Sequence, residues 1–146
     1  MSVTTQDIFK FLDSVEAALF SDMLLYHDSH PRFYTVKANL DIIRDWLNRR
    51  YVPIYLYKRI FYRWSKLHDL RNATMDALWW YKKNFAYDEE ADCLFNEADD
   101  CNDYDMRKAI HKRRVKARND AQLAYVKFEE AVVTRERLIA EIKASK

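Results

Sequence analysis

Not one residue of this 146-residue chain is glycine, although average usage near 7% would place about ten in a protein of this length. The absence removes phosphate-cradling loops, primed hairpin turns and the left-handed caps that close many helices. Only two prolines, Pro31 and Pro53, punctuate the rest. A chain with so few turn-forming residues reads as all-α: a three- to four-helix bundle with a long C-terminal helix, one domain over residues 1–146. With 49% hydrophobic and 15% aromatic residues it buries a real core, which excludes a disordered chain.

Apolar spacing places the helices. Ile8, Leu12, Val15, Leu19, Met23 and Tyr26 form a stripe at three- and four-residue steps, predicting a first helix over about 5–27 capped by Thr4 or Thr5. Val36, Leu40, Ile43 and Leu47 continue the pattern of Phe33 and define a second over 31–50. Pro53 opens a third, to about Phe85, with cap-prone Asp69, Asn72 and Thr74 as points where it could bend. An acidic connector follows over 88–105, with room for a short helix near Ala91 to Ala98. The last helix spans 103–142. Its seam reads Ile110, Arg114, Ala117, Ala121, Ala124, Phe128, Ala131, Arg135, Leu138 and Ile142, a heptad whose alanines admit a close partner helix. About 40 residues at 1.5 Å each make roughly 60 Å, longer than a small bundle covers, so Ala117, Ala121, Ala124, Phe128, Ala131, Leu138 and Ile142 form a candidate self-association seam.

Net charge is only +2, yet the charges fall in blocks. Residues 1–30 hold one cation and five acids, residues 31–83 twelve and four, residues 84–105 none and nine, and residues 106–146 twelve and five. Such alternation predicts binding through charged helical faces. In "PIYLYKRIFYRW", residues 53–64, a helical wheel carried on to Leu67 puts Leu56, Ile60, Trp64 and Leu67 towards a core, with Ile54, Tyr57 and Phe61 extending that arc. It puts Tyr55, Lys58, Arg59, Tyr62, Arg63 and Lys66 on the other side. Arg113, Arg114, Lys116 and Arg118 form a second basic cluster with almost no acid at helical spacing. These two sets, Tyr55, Arg59, Tyr62, Arg63 and Lys66 with Arg113, Arg114, Lys116 and Arg118, are the candidate face for an anionic partner or nucleic acid. The acids Asp88, Glu89, Glu90, Asp92, Glu97, Asp99 and Asp100 are the candidate acidic interaction segment. It reads three ways: a connector supporting the last helix, a mimic of a phosphate backbone, or a segment docked on a basic face.

Catalytic and cofactor chemistry finds no motif. "DDCNDYD" lacks the glycine and glutamate of a calcium loop, His27 and His30 are two ligands short of a zinc site, and glycine-flanked nucleophile motifs are ruled out by composition. Cys93 and Cys101, about 12 Å apart along a helix, are beyond disulfide reach and suit a reducing cytoplasm. The acidic start "MSVTTQDIFKFLD" does not read as a signal peptide, and no window of about 18 apolar residues predicts a membrane span. The reading is a non-enzymatic helical interaction protein without cofactors: an inhibitor, adaptor or assembly factor of the kind viruses encode. It binds a protein partner or itself as a homo-oligomer. The alternative is nucleic-acid binding through the basic faces with their interleaved tyrosines.

Overall fold

The computed structural model describes residues 3–21, 31–49 and 52–145. It is all-α, with no strand among the described residues: α1 (Thr5–Leu19), α2 (Pro31–Arg49), α3 (Ile54–Asp99) and α4 (Tyr104–Ala144). The chain divides into two compact units, residues 1–75 with 132–146 and residues 76–131.

In the first unit α1 begins with a reciprocal cap. The Thr4 hydroxyl accepts from the Asp7 amide at 3.2 Å, and the Asp7 carboxylate accepts from the Thr4 amide at 2.8 Å. The bonds that its carboxylate accepts, from the Thr4 amide first and then from the Thr4 hydroxyl at 3.0 Å, hold the Asp7 carboxyl below its ordinary value. Helix α1 buries Ile8, Leu12, Val15 and Leu19, α2 buries Val36, Leu40, Ile43 and Leu47, and the first half of α3 buries Ile60, Leu67 and Leu70. Between α1 and α2, Phe11 meets Trp46 edge to face at 4.9 Å, and Trp64 of α3 donates its indole N–H to the Leu40 carbonyl at 2.8 Å.

The expected first helix is too long. It ends at Leu19, and Met23, Tyr26, His27, Ser29 and His30 lie outside the described residues. With no glycine to close this end, a guanidinium does it. Arg135 of α4, only 2% exposed, donates from Nη2 to the carbonyls of Leu19 at 2.8 Å and Ser21 at 3.3 Å, and from Nε to the Thr74 hydroxyl at 3.2 Å. Thr74 in turn donates its hydroxyl O–H to the Leu70 carbonyl at 2.8 Å. A cation at a helix C-terminus meets the negative end of the dipole and fills bonding positions that the last carbonyls leave open.

The second unit is an antiparallel pair of helical segments. Ala91, Leu94 and Ala98 of α3 pack on Ile110 and Ala117 of α4, with Cys101 at the edge. Farther along, Asn84 donates to the Ala121 carbonyl at 2.8 Å and Tyr81 lies 5.6 Å from Phe128. This overturns the expected connector over 88–105. The acidic residues 88–99 are the last turns of α3, which does not stop at Phe85, because Ala91, Leu94 and Ala98 repeat at helical spacing and have a face to bury. Only residues 100–103 turn. Asp103 then caps α4, its carboxylate accepting from the amides of Asp105 at 2.9 Å and Met106 at 3.1 Å. Arg107 closes the end of α3 through the carbonyls of Ala98 at 3.2 Å and Cys101 at 2.8 Å.

The proposed self-association seam is also corrected. Ala117, Ala121 and Ala124 are buried within the second unit, and Leu138 and Ile142 within the first; Phe128 and Ala131 are half-buried. The alanines do admit a close neighbour, but in the second unit that neighbour is α3 of the same chain.

Replacing Arg135 with alanine leaves buried carbonyls without a donor and opens a cavity, and should cost about 3 kcal/mol or more. The urea midpoint of the far-ultraviolet circular dichroism signal should fall accordingly. Arg135→Lys should recover only part of the loss, since an ammonium cannot span the same fork of acceptors. An unchanged midpoint in Arg135→Ala would show that the cap is not what holds these helices.

Candidate functional site

The nine cationic and tyrosine candidates divide between the two units: Tyr55, Arg59, Tyr62, Arg63 and Lys66 lie in the first, and Arg113, Arg114, Lys116 and Arg118 in the second. Within the first unit their surroundings differ sharply. Arg63 faces α1, where its Nη2 meets Asp13 at 2.6 Å and the buried Glu16 at 2.9 Å. Lys66 meets Glu141 of α4 at 2.8 Å, and its ammonium lies 5.6 Å from the Tyr62 ring centroid. These two cations hold helices together. Arg59 and its neighbour Lys58 are exposed, and among the described residues neither has an ionic partner.

Around those two cations the surface is apolar. Ile54 is 74% exposed, Tyr55 66%, Phe61 48% and Tyr62 46%. The wheel assigned Ile54 and Phe61 to the core side, and the structure corrects this. The buried arc of α3 is the narrower one of Ile60, Leu67 and Leu70, and Phe61 instead stands in a row of rings along the helix. Tyr57 and Phe61 are 6.1 Å apart, Phe61 and Trp64 5.9 Å, and Trp64 and His68 5.2 Å, all near parallel. Arg44 of α2 covers Trp64 at 5.6 Å. Beside this row, Phe9, Arg59, Tyr62, Arg63 and Ser145 line a shallow pocket.

In the second unit the basic cluster lies against the acidic turns of α3. Arg118 approaches Asp92 at 3.9 Å, and Arg113 and Lys116 line one polar pocket with Tyr87, Glu90 and Asp120. Arg114 covers the Phe95 ring at 4.7 Å. So part of the acidic segment is matched by cations of its own unit. Asp88, Glu89, Asp92, Glu97, Asp99 and Asp100 nevertheless remain exposed.

Three working residues escaped the sequence reading: Glu16, Glu141 and Arg107. For Glu16 a signal existed, since it follows Leu12 by four positions and so falls on the apolar stripe of α1. Glu141 adjoins the buried Ile142 but carries no mark of its partner 75 residues away.

Among the described residues no group of three or more histidines, cysteines or carboxylates is placed to hold a metal ion. Cys93 is exposed, Cys101 half-buried, and both are free thiols. None of the helices is long and apolar enough, over the described residues, to cross a membrane. No protein family, curated protein or solved structure matches the chain.

The pair of Lys66 and Glu141 has a pH signature. The hydrogen bond from Lys66 holds Glu141 below its ordinary value, and the same bond raises Lys66 above its own. Glu141 therefore contributes stability that is present above the unfolded-state carboxylate value and is lost as pH falls through the lowered one. Lys66 contributes below the unfolded-state amine value and loses it as pH rises through the raised one. A carboxyl-carbon NMR titration should place Glu141 below a free glutamate. Lys66→Met should return the midpoint upwards; no upward movement would mean that the contact is not formed in solution.

Proposed function

We propose that this chain is a non-enzymatic helical interaction protein, an inhibitor, adaptor or assembly factor, which engages a protein partner through the start of α3. One observation carries the reading: Ile54, Tyr55, Phe61 and Tyr62 stand exposed on the same turns as Lys58 and Arg59. Aromatic residues with arginine are the composition of interface centres, and each large apolar side chain newly buried supplies about 1.5–3 kcal/mol. Nucleic-acid binding is supported less well. Phosphate recognition needs several available cations along a line, and Arg63 and Lys66 are engaged with Asp13, Glu16 and Glu141.

Tyr55→Ala combined with Phe61→Ala should weaken capture of the protein partner by about tenfold or more, roughly 1.4 kcal/mol, with the helical spectrum unchanged. Lys127→Ala, an exposed change in the other unit, should have no effect. Undiminished capture by the double variant would remove this face as the site. If labelled oligonucleotides bind instead, with affinity falling along a straight log–log salt line of about 0.7 to 0.9 per phosphate contact, nucleic acid replaces protein as the target.

A further inference from the structure

We propose that the partner of the α3 face is a second copy of this chain, which presents the acidic end of its own α3; the inference rests on the protein-binding reading above and names its occupant. The two surfaces have complementary chemistry. On the first, Ile54, Lys58 and Phe61 are spaced four and three apart, flanked by Tyr55, Arg59 and Tyr62, so exposed apolar groups bracket two cations that have no ionic partner among the described residues. On the second, Phe85, Asp88, Asp92, Phe95 and Asp99 follow at three- and four-residue steps, which puts them on one stripe of the helix. All five are exposed, Phe85 by 64% and Phe95 by 42%. That stripe has the same grammar with the charge reversed: phenylalanines bracketing carboxylates.

Helix-on-helix docking uses apolar anchors at such steps, while opposite charges set the register and exclude like-charged faces. Two exposed phenylalanines would leave water against Ile54, Tyr55, Phe61 and Tyr62, and Asp88 and Asp92 would meet Lys58 and Arg59. The contact of Asp92 with Arg118 is long, at 3.9 Å, and solvent-exposed on both sides. Pairs of that kind contribute little, so Asp92 is available to a new cation. Acceptor and donor surfaces are different patches, so the contact is heterologous: in a joined pair one copy keeps its basic face and the other its acidic stripe, and further copies add head to tail.

The test is the mass of the full chain by sedimentation velocity and light scattering over a concentration series. The mass should rise with concentration and fall back towards one chain near about 0.5 M sodium chloride, where screening shortens the reach of exposed charges to a few ångströms. Lys58→Glu with Arg59→Glu should raise the concentration for half-assembly by about tenfold or more, and Asp88→Lys with Asp92→Lys should do the same. An equimolar mixture of the two charge-reversed proteins should regain mass, because the native stripe of one meets the native face of the other. Phe61→Ser, which leaves every charge in place, should also weaken assembly, and circular dichroism confirms that each variant is folded. A mass that stays at one chain at every concentration overturns the proposal, as does assembly that survives charge reversal of Lys58 and Arg59. If the chain is a monomer yet its Tyr55 and Phe61 still retain another protein, the second-copy occupant falls and the protein-binding reading stands. If neither occurs, both fall.

Discussion

The guanidinium of Arg135 is the interaction on which the first unit depends. It meets the end of α1 at Leu19 and Ser21 and the middle of α3 at Thr74, from a position on α4. A buried cation is costly unless its donors are satisfied, and its planar fork suits a set of fixed carbonyls better than an ammonium would. The need for it follows from composition. Helices commonly stop at a residue in the left-handed conformation, and glycine takes that conformation without penalty. A chain with no glycine must satisfy its last carbonyls otherwise, and here a distant arginine does so. Arg107 repeats the device in the second unit, donating to Ala98 and Cys101 at the end of α3. Both caps come from α4, so the C-terminal helix supplies terminations for two others as well as a packing surface. That explains an arginine inside a heptad seam, where a leucine would pack better but would leave carbonyls unpaired.

Cations elsewhere sort by the same criterion of whether the fold uses them. Arg63 is drawn against Asp13 and Glu16, Lys66 against Glu141, and Arg118 towards Asp92. Each joins two segments of the backbone, although the exposed pair with Asp92 is worth little beside the partly buried pair with Glu16. Lys58 and Arg59 join nothing among the described residues and sit with apolar groups that the fold also leaves uncovered. Solvation alone accounts for an exposed lysine. It does not account for an exposed isoleucine, phenylalanine and two tyrosines around it, since their contact with water is unfavourable. The functional reading therefore rests on the coincidence of the two rather than on charge.

How much of this was legible varies by helix, for physical reasons. The extents of α2 and α4 could be read because their apolar residues recur at strict three- and four-residue steps up to a break or a cap. Helix α3 was cut short because local signals opposed the outcome. Asp69, Asn72 and Thr74 favour caps, and acids at a helix C-terminus oppose its dipole. Burial overrode both: Thr74 turns its hydroxyl back to Leu70, and Ala91, Leu94 and Ala98 gain a face against Ile110 and Ala117. The seam on α4 is a packing stripe, as its spacing predicts, but assigning it to a neighbour in the same chain and not to another molecule required knowing that α3 runs on to Asp99. One boundary error thus became an error about which helix covers the seam.

The wheel of residues 54–67 fails in a different way. Periodicity shows which side chains share an arc, but the width of the arc that is covered depends on how many neighbours pack there. At the start of α3 the covered arc is narrow, so Ile54 and Phe61, apolar by type and adjacent to the core by angle, end in solvent. Phe61 keeps partial shelter by stacking between Tyr57 and Trp64. Stacking fixes its orientation without removing its outer surface from water, so the ring is already ordered when something arrives to cover it. Ordering a side chain on association costs about 0.5–1.5 kcal/mol, and a ring held in place beforehand avoids most of that. The row of aromatics along α3 thus has two roles: it packs against α2 through Trp64, and its exposed end presents a rigid apolar anchor beside two cations that have no ionic partner among the described residues.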